Sequence, residues 1–298
     1  MQQIVNAVVL GSVYCLFALG LSLSWGTLNV LNLAHGAVFM FSAFSCYLIT
    51  QQLSWNLPAV VLVLIAMAVG ALIEVALDVL VFRPIRKRSR TVAEAELSML
   101  IASIGVAAIP VTIAQRVTTD SPFTVTAKPI KASIYHLTSG VYVTNIEIAI
   151  VVVALGLTVA LALWIQESRT GRALRALAYD APTSGLMGIS QSRMSALALG
   201  LSGASAGAAG VFLALYLDSL TPESGGDLLL KAFAAVVLGG VGSMWGAPVG
   251  AFVLAAGEVT VAATTSGIWT DAVSFGLIIA VLMLMPNGLF RQVKVDRI

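Results

Sequence analysis

Residues 58–82 read PAVVLVLIAMAVGALIEVALDVLVF, a stretch whose only charges are Glu74 and Asp78, and the next six residues read RPIRKR. About 20 consecutive apolar residues are what an α-helix needs to cross the hydrocarbon core of a bilayer. A barrel strand would alternate and stop after about ten residues. Lipid also offers no partner to unpaired backbone amides and carbonyls, which leaves the helix as the reading. The stretch is a membrane span with a basic flank.

The same pattern recurs at residues 4–25, 29–50, 97–117, 144–166, 195–217, 228–245, 247–266 and 270–290. The chain is therefore expected to be an all-α polytopic membrane helix bundle of about eight or nine spans. It would form a single transmembrane domain over residues 1–298, with no room for a soluble one. If 26–36 or 228–245 is broken or re-entrant, the count changes by one. Composition agrees: 59% of the 298 residues are hydrophobic, 10% are charged and the mean hydropathy is +0.98. A soluble domain carries about a quarter charged residues. Met1-Gln2-Gln3 lacks the basic start of a cleaved signal peptide, so residues 4–25 read as a retained first span.

The net charge of +2 does not indicate a nucleic-acid partner, because the basic residues report topology. Twelve of the sixteen Lys and Arg fall in three segments: Arg83 to Arg90, Arg169 to Arg193 and Arg291 to Arg297. All three should be cytoplasmic. Residues 118–143, rich in Thr, Ser and Pro with Val, Ile and Tyr between them, then form the longest outer loop, with extended structure and turns. This loop divides the hydropathy profile into two halves, although no sequence repeat is evident. Cys15 and Cys46 lie in apolar stretches and read as small buried hydrophobes. No metal site or other cofactor site is expected, since the only histidines are His35 and His136 and they lie in different segments.

Four stretches carry polar or flexible groups inside apolar sequence. In GTLNVLNLAHG, residues 26–36, helical spacing puts Asn29, Asn32 and His35 or Gly36 on one face. Such groups must find partners in a membrane, either in interhelical bonds or along a wet cavity. In LGGVGSMWGAPVG, residues 238–250, the glycine spacing misses the dinucleotide fingerprint, and neither a βαβ context nor a Gly-Lys-Ser/Thr ending is present. Gly240 and Gly242 instead permit a break between two helices. In GLSGASAGAAG, residues 200–210, Gly203 and Gly207 form a small-xxx-small helix contact. The acidic residues Glu74 and Asp78 lie four apart and close to Arg83 and Arg86, their expected partners. Glu258 is the deepest acid in its run and a functional-site candidate facing a partner or cavity.

The loop 167–194 contains a short helix from Gly171 to Tyr179, then Pro182, Gly185 and Gly188. It fits either a helix on the lipid surface or a docking element for a soluble partner.

Taken in order, Asn32-Leu33-Ala34-His35-Gly36, Arg83-Pro84-Ile85-Arg86, Gly171-Arg172-Ala173-Leu174-Arg175-Ala176 with Asp180 and Gly188-Ile189, Leu238 to Ser243 with Gly246, Ala247 and Gly250, then Glu258, Asp271 and Pro286 to Phe290 make the chain resemble a known family along its whole length. It resembles the permease subunits of bacterial ABC importers for branched-chain amino acids, the LivH-type permeases, whose relatives import urea, amides and other amino acids. Where the family commonly carries a Glu-Arg pair before Arg83-Pro84, this chain has Asp78 and Val79.

The resemblance implies a multi-pass protein of the bacterial inner membrane. It would work with two ATP-binding subunits, a second permease as hetero- or homodimer, and an extracytoplasmic substrate-binding protein. The loop 167–194, with Gly171, Arg172, Arg175, Ala178, Asp180, Gly185 and Gly188, would couple to the ATPases. The chain itself has no phosphate-binding Gly-x4-Gly-Lys-Ser/Thr loop and would not be an enzyme. Asn29, Asn32, His35, Gly36, Gly240, Gly242 and Glu258 would line or gate the substrate path. The competing reading is an ATP-independent secondary transporter or facilitative channel, which would use Glu258 or Glu74 for ion coupling.

Overall fold

A computed structural model describes residues 1–28, 31–53, 55, 57–127, 134–138, 141–240, 242–243, 245–264, 272, 276, 279, 283 and 288–290. Asn29, Asp271, Pro286, Asn287, the C-terminal basic segment and most of the run 270–290 lie outside the described residues. The helices are α1 (Gln2–Leu28), α2 (Ala34–Tyr47), α3 (Ala59–Leu77), α4 (Arg83–Arg88), α5 (Val92–Thr118), α6 (Asn145–Glu167), α7 (Arg169–Tyr179), α8 (Ala181–Leu186), α9 (Gln191–Leu217), α10 (Ser224–Gly239) and α11 (Gly246–Thr264). A π-helical turn, Leu48–Gln52, prolongs α2, and another, Asp78–Phe82, joins α3 to α4 in one continuous helix.

Among the described residues six helices are long and apolar enough to cross a membrane: α1, the joined α3–α4, α5, α6, α9 and α11. The protein is thus a polytopic helical membrane protein. α2 and α10 are shorter, and each follows one of the two long central helices, α1 and α9. The ends of the outer helices are set by local chemistry. Thr91 accepts from the Glu94 amide at the start of α5, and Thr144 with Glu147 forms a capping box at the start of α6. Between α5 and α6 the outer segment holds an antiparallel pair, β1 (Ile134–Thr138) and β2 (Val141–Thr144), with Tyr135 opposite Val143. A backbone bridge joins Phe123 to Leu220, 2.8 and 3.0 Å in its two hydrogen bonds.

α1 and α9 form the centre of the bundle, with α3, α5 and α6 turning apolar faces outward. The packing has an approximate twofold character. A β-carbon on Gly36 of α2 would strike the Gly225 carbonyl and Leu229, and one on Gly225 of α10 would strike the Gly36 carbonyl and Met40. α3 packs along α9 as α11 packs along α1, and α2 against α3 as α10 against α11. The units α1–α2–α3 and α9–α10–α11 therefore correspond, with residue offsets of about 189 in the numbering. The sequence division at the outer loop foreshadows two halves, but the related units are these three-helix groups.

Gly203 on α9 lies against the backbone of Gly70 on α3, and Gly207 against that of Ala66. This is the close helix approach expected of the small-xxx-small run. Cys15 and Cys46 are buried and free. At the basic end of the bundle, Leu289 N donates to Leu238 O (2.8 Å) and Phe290 N to Gly239 O (3.1 Å), satisfying carbonyls at the end of α10.

Candidate translocation and coupling sites

The first cluster gathers where α2 begins. Asn32 Nδ2 donates to both Glu74 carboxylate oxygens (3.0 and 2.8 Å), and its Oδ1 accepts from the Ala34 amide (3.1 Å). His35 Nδ1 lies 3.0 Å from Glu74 Oε1 and 3.3 Å from Ser202 Oγ, while Nε2 lies 3.4 Å from the Phe17 carbonyl. The His35 ring stacks on Phe17 at 4.6 Å. Asn32, His35, Glu74 and Ser202 have no exposed surface. The carboxylate also faces the N-terminal end of α2, where the helix dipole favours negative charge.

Glu74 therefore does not pair with Arg83 or Arg86 as its spacing from them suggests. Nine residues of helix separate it from Arg83, about 13 Å, whereas Asn32 and His35, at the start of α2, bond to it directly, with Ser202 of α9 behind His35. Asp78 alone takes both arginines: Arg83 Nε at 2.8 Å and an Arg86 terminal nitrogen at 2.5 Å. Ser195 of α9 donates to the same carboxylate (2.8 Å), and Arg83 reaches the Ser192 carbonyl (2.8 Å). This clasp fastens the end of α3 to the start of α9.

The second cluster lies on the α10–α11 hairpin. Lys231 Nζ pairs with Glu258 Oε1, and the Tyr14 hydroxyl of α1 donates to Glu258 Oε2 (3.0 Å). Lys231 and Glu258 keep 18% and 11% of their side chains accessible, in contrast to the sealed cluster around Glu74. Gly240 and Gly242 form the turn at the other end of the hairpin, with φ of +99° and +83° that a side chain would strain. The structure thus brings Asn32, His35 and Gly36 together at the start of α2, but it puts Glu258 in a different cluster and Gly240 and Gly242 in a turn.

The third region is the loop 167–194. Ser168 caps α7 through the Gly171 amide (2.8 Å), and Asp180 caps α8 through the Thr183 amide (3.0 Å). Arg172 donates to the Glu167 carbonyl (2.9 Å). Arg175 donates to Ile165 and Gln166 carbonyls, so both guanidinium groups finish the C-terminus of α6. Gly171 has no room for a β-carbon beside Ile165. Leu174 and Leu177 are buried, Ala178 is half-buried, and Gly185 and Gly188 stand in open space, Gly188 at φ +83°. Tyr179, Leu186 and Met187 are exposed, Leu186 by 88%.

The family profile described as "Branched-chain amino acid transport system / permease component" matches residues 3–282. The high-affinity branched-chain amino acid transport system permease protein LivH of Salmonella typhimurium (strain LT2) is 33% identical over 313 residues, covering all of this chain and 97% of that protein. BraD of Pseudomonas aeruginosa, of the same description, is 31% identical over 307 residues, covering all of this chain and 98% of that protein. The chain belongs to this permease family. It is a multi-pass membrane permease component, and ATP hydrolysis is not its task.

Within this permease, sequence reasoning that weighs only acids overlooks Lys231. It is a lone charge in the apolar run 228–245, and the rule that singles out Glu258 applies to it equally. Tyr14 carries no comparable signal, because a tyrosine in an apolar run is ordinary.

Proposed function

We propose that this permease moves branched-chain amino acids inward across the bacterial inner membrane, as one membrane domain within an ABC importer. The proposed partners are two ATP-binding subunits, a second permease and an extracytoplasmic binding protein. The observation that carries this reading is the apex of α8. Leu186 and Met187, with Tyr179 beside them, stand exposed at the basic end of the bundle. The rest of the element is fixed in place by the carbonyls of α6 and by the buried Leu174 and Leu177. Basic loops face the cytoplasm, where the ATPases would be.

In this scheme a rigidly based, apolar-tipped element receives the closure of the ATPases. The Asp78 clasp passes it to α3 and α9. The substrate path follows the α10–α11 hairpin, with Glu258 on it and Gly240 and Gly242 allowing its end to bend. Asn32, His35 and Gly36 act at the pivot where α2 meets α3 and α10.

Changing both Leu186 and Met187 to aspartate tests the reading. The expected result is normal membrane insertion with loss of the co-purifying ATPases and of ATP-driven leucine uptake. A wild-type chain that purifies alone and conducts leucine in liposomes without ATP would instead establish an ATP-independent carrier or channel.

A further inference from the structure

We infer that Lys231 and Glu258, with Tyr14 behind them, form a recognition station for the charged backbone of a zwitterionic amino acid. The inference rests on the importer reading above and adds the residues that hold the solute.

Lys231 lies at the midpoint of α10, seven residues after Ser224 and eight before Gly239, and Glu258 lies well inside α11. Ionisable groups at such positions in a membrane are costly and face the bundle interior or water rather than lipid. Both side chains are partly accessible. That surface must then open on a wet path or a protein partner. Glu74 and Asp78 differ in having no exposed surface.

The corresponding place in the first unit shows that a charge is not needed to join these helices. Lys231, Glu258 and Tyr14 match Ser42, Gly70 and Gly203 at offsets of 188 or 189 residues. There Gly70 and Gly203 touch backbone to backbone beside Ser42. The α3–α9 crossing is filled with glycine; the α1–α11 crossing holds an ion pair and a phenol.

The chemistry fits one ligand class. A free amino acid brings a carboxylate and an ammonium on adjacent atoms. Entering between the two side chains, it gives its carboxylate to Lys231 and its ammonium to Glu258, so one ion pair is exchanged for two. No net charge enters the low-dielectric interior, where an unpaired one would be prohibitive. Tyr14 keeps Glu258 Oε2 in place during the exchange. A solute lacking either charged group exchanges the ion pair for only one new one and gains nothing, which discriminates against it.

The test uses the complete importer in proteoliposomes with its binding protein, following radiolabelled leucine. Lys231→Met and Glu258→Gln should each lower the maximal uptake rate about 10- to 100-fold, the loss of one charge-assisted hydrogen bond. The concentration of liganded binding protein that gives half-maximal uptake should not move, since docking occurs elsewhere. The double variant K231M/E258Q should assemble with its partners and remain as defective as the single ones. Recovery of uptake in the double variant would identify a structural ion pair and overturn the inference. So would failure of the double variant to assemble, or single variants with full uptake. Absence of ATP-driven leucine uptake in the wild-type complex would overturn the importer reading itself.

Discussion

Gly70 and Glu258 stand at matching points of two related three-helix units, one on α3 and one on α11, and their neighbours join by opposite means. At the first of these crossings glycines let α3 and α9 meet through their backbones. At the second, where α11 crosses α1 beside α10, the contact is made through Lys231, Glu258 and Tyr14. Close packing makes a rigid pair, while a charged pair with accessible edges can be opened and remade. The difference marks the α3–α9 crossing as the frame and the α10–α11 hairpin, with its ion pair, as the wall that can move.

Four variants can break or sharpen that contrast, all read as thermal stability of the purified protein in detergent. Glu74→Ala in the frame should cost most, about 3–5 kcal/mol, because it strips Asn32 and His35 of a fully buried partner. Gly203→Leu should follow at about 3 kcal/mol, the upper end of overpacking, since backbone and not a rotatable side chain stands in the way. Gly240→Ala, at a left-handed position in the turn of the moving wall, should cost about 1–2 kcal/mol. The double change K231M/E258Q should cost least, less than about 1 kcal/mol, because replacing both members of a buried ion pair is often neutral. If it proves as costly as Glu74→Ala, the second unit is a frame as well and the contrast fails.

The spans were legible because hydrocarbon imposes a length and an apolarity that composition alone reveals. Residues 59–88 and 145–167 follow the runs 58–82 and 144–166 closely. Helical spacing put Asn32 and His35 on one helix face, whereas Asn32 lies just before α2 and turns back onto the Ala34 amide. Partner choice was not legible either. Glu74 sits nine residues from Arg83 in sequence, yet it bonds to Asn32 and His35 some forty residues away, and only the crossing of α2 over α3 decides between them. The same holds for Arg172 and Arg175. Their pattern suggests a surface offered to a partner, but the carbonyls left bare at the end of α6 claim them first.

The hydrogen bonds from Leu289 and Phe290 to the last carbonyls of α10 have a consequence in time. A ribosome releases this chain from its N-terminus, so Leu238 and Gly239 enter the bilayer about fifty residues before their partners are made. Until then the α10–α11 hairpin carries unfinished polar ends. The frame of α1, α2, α3 and α9 can form during synthesis, whereas the wall that carries Lys231 and Glu258 closes last.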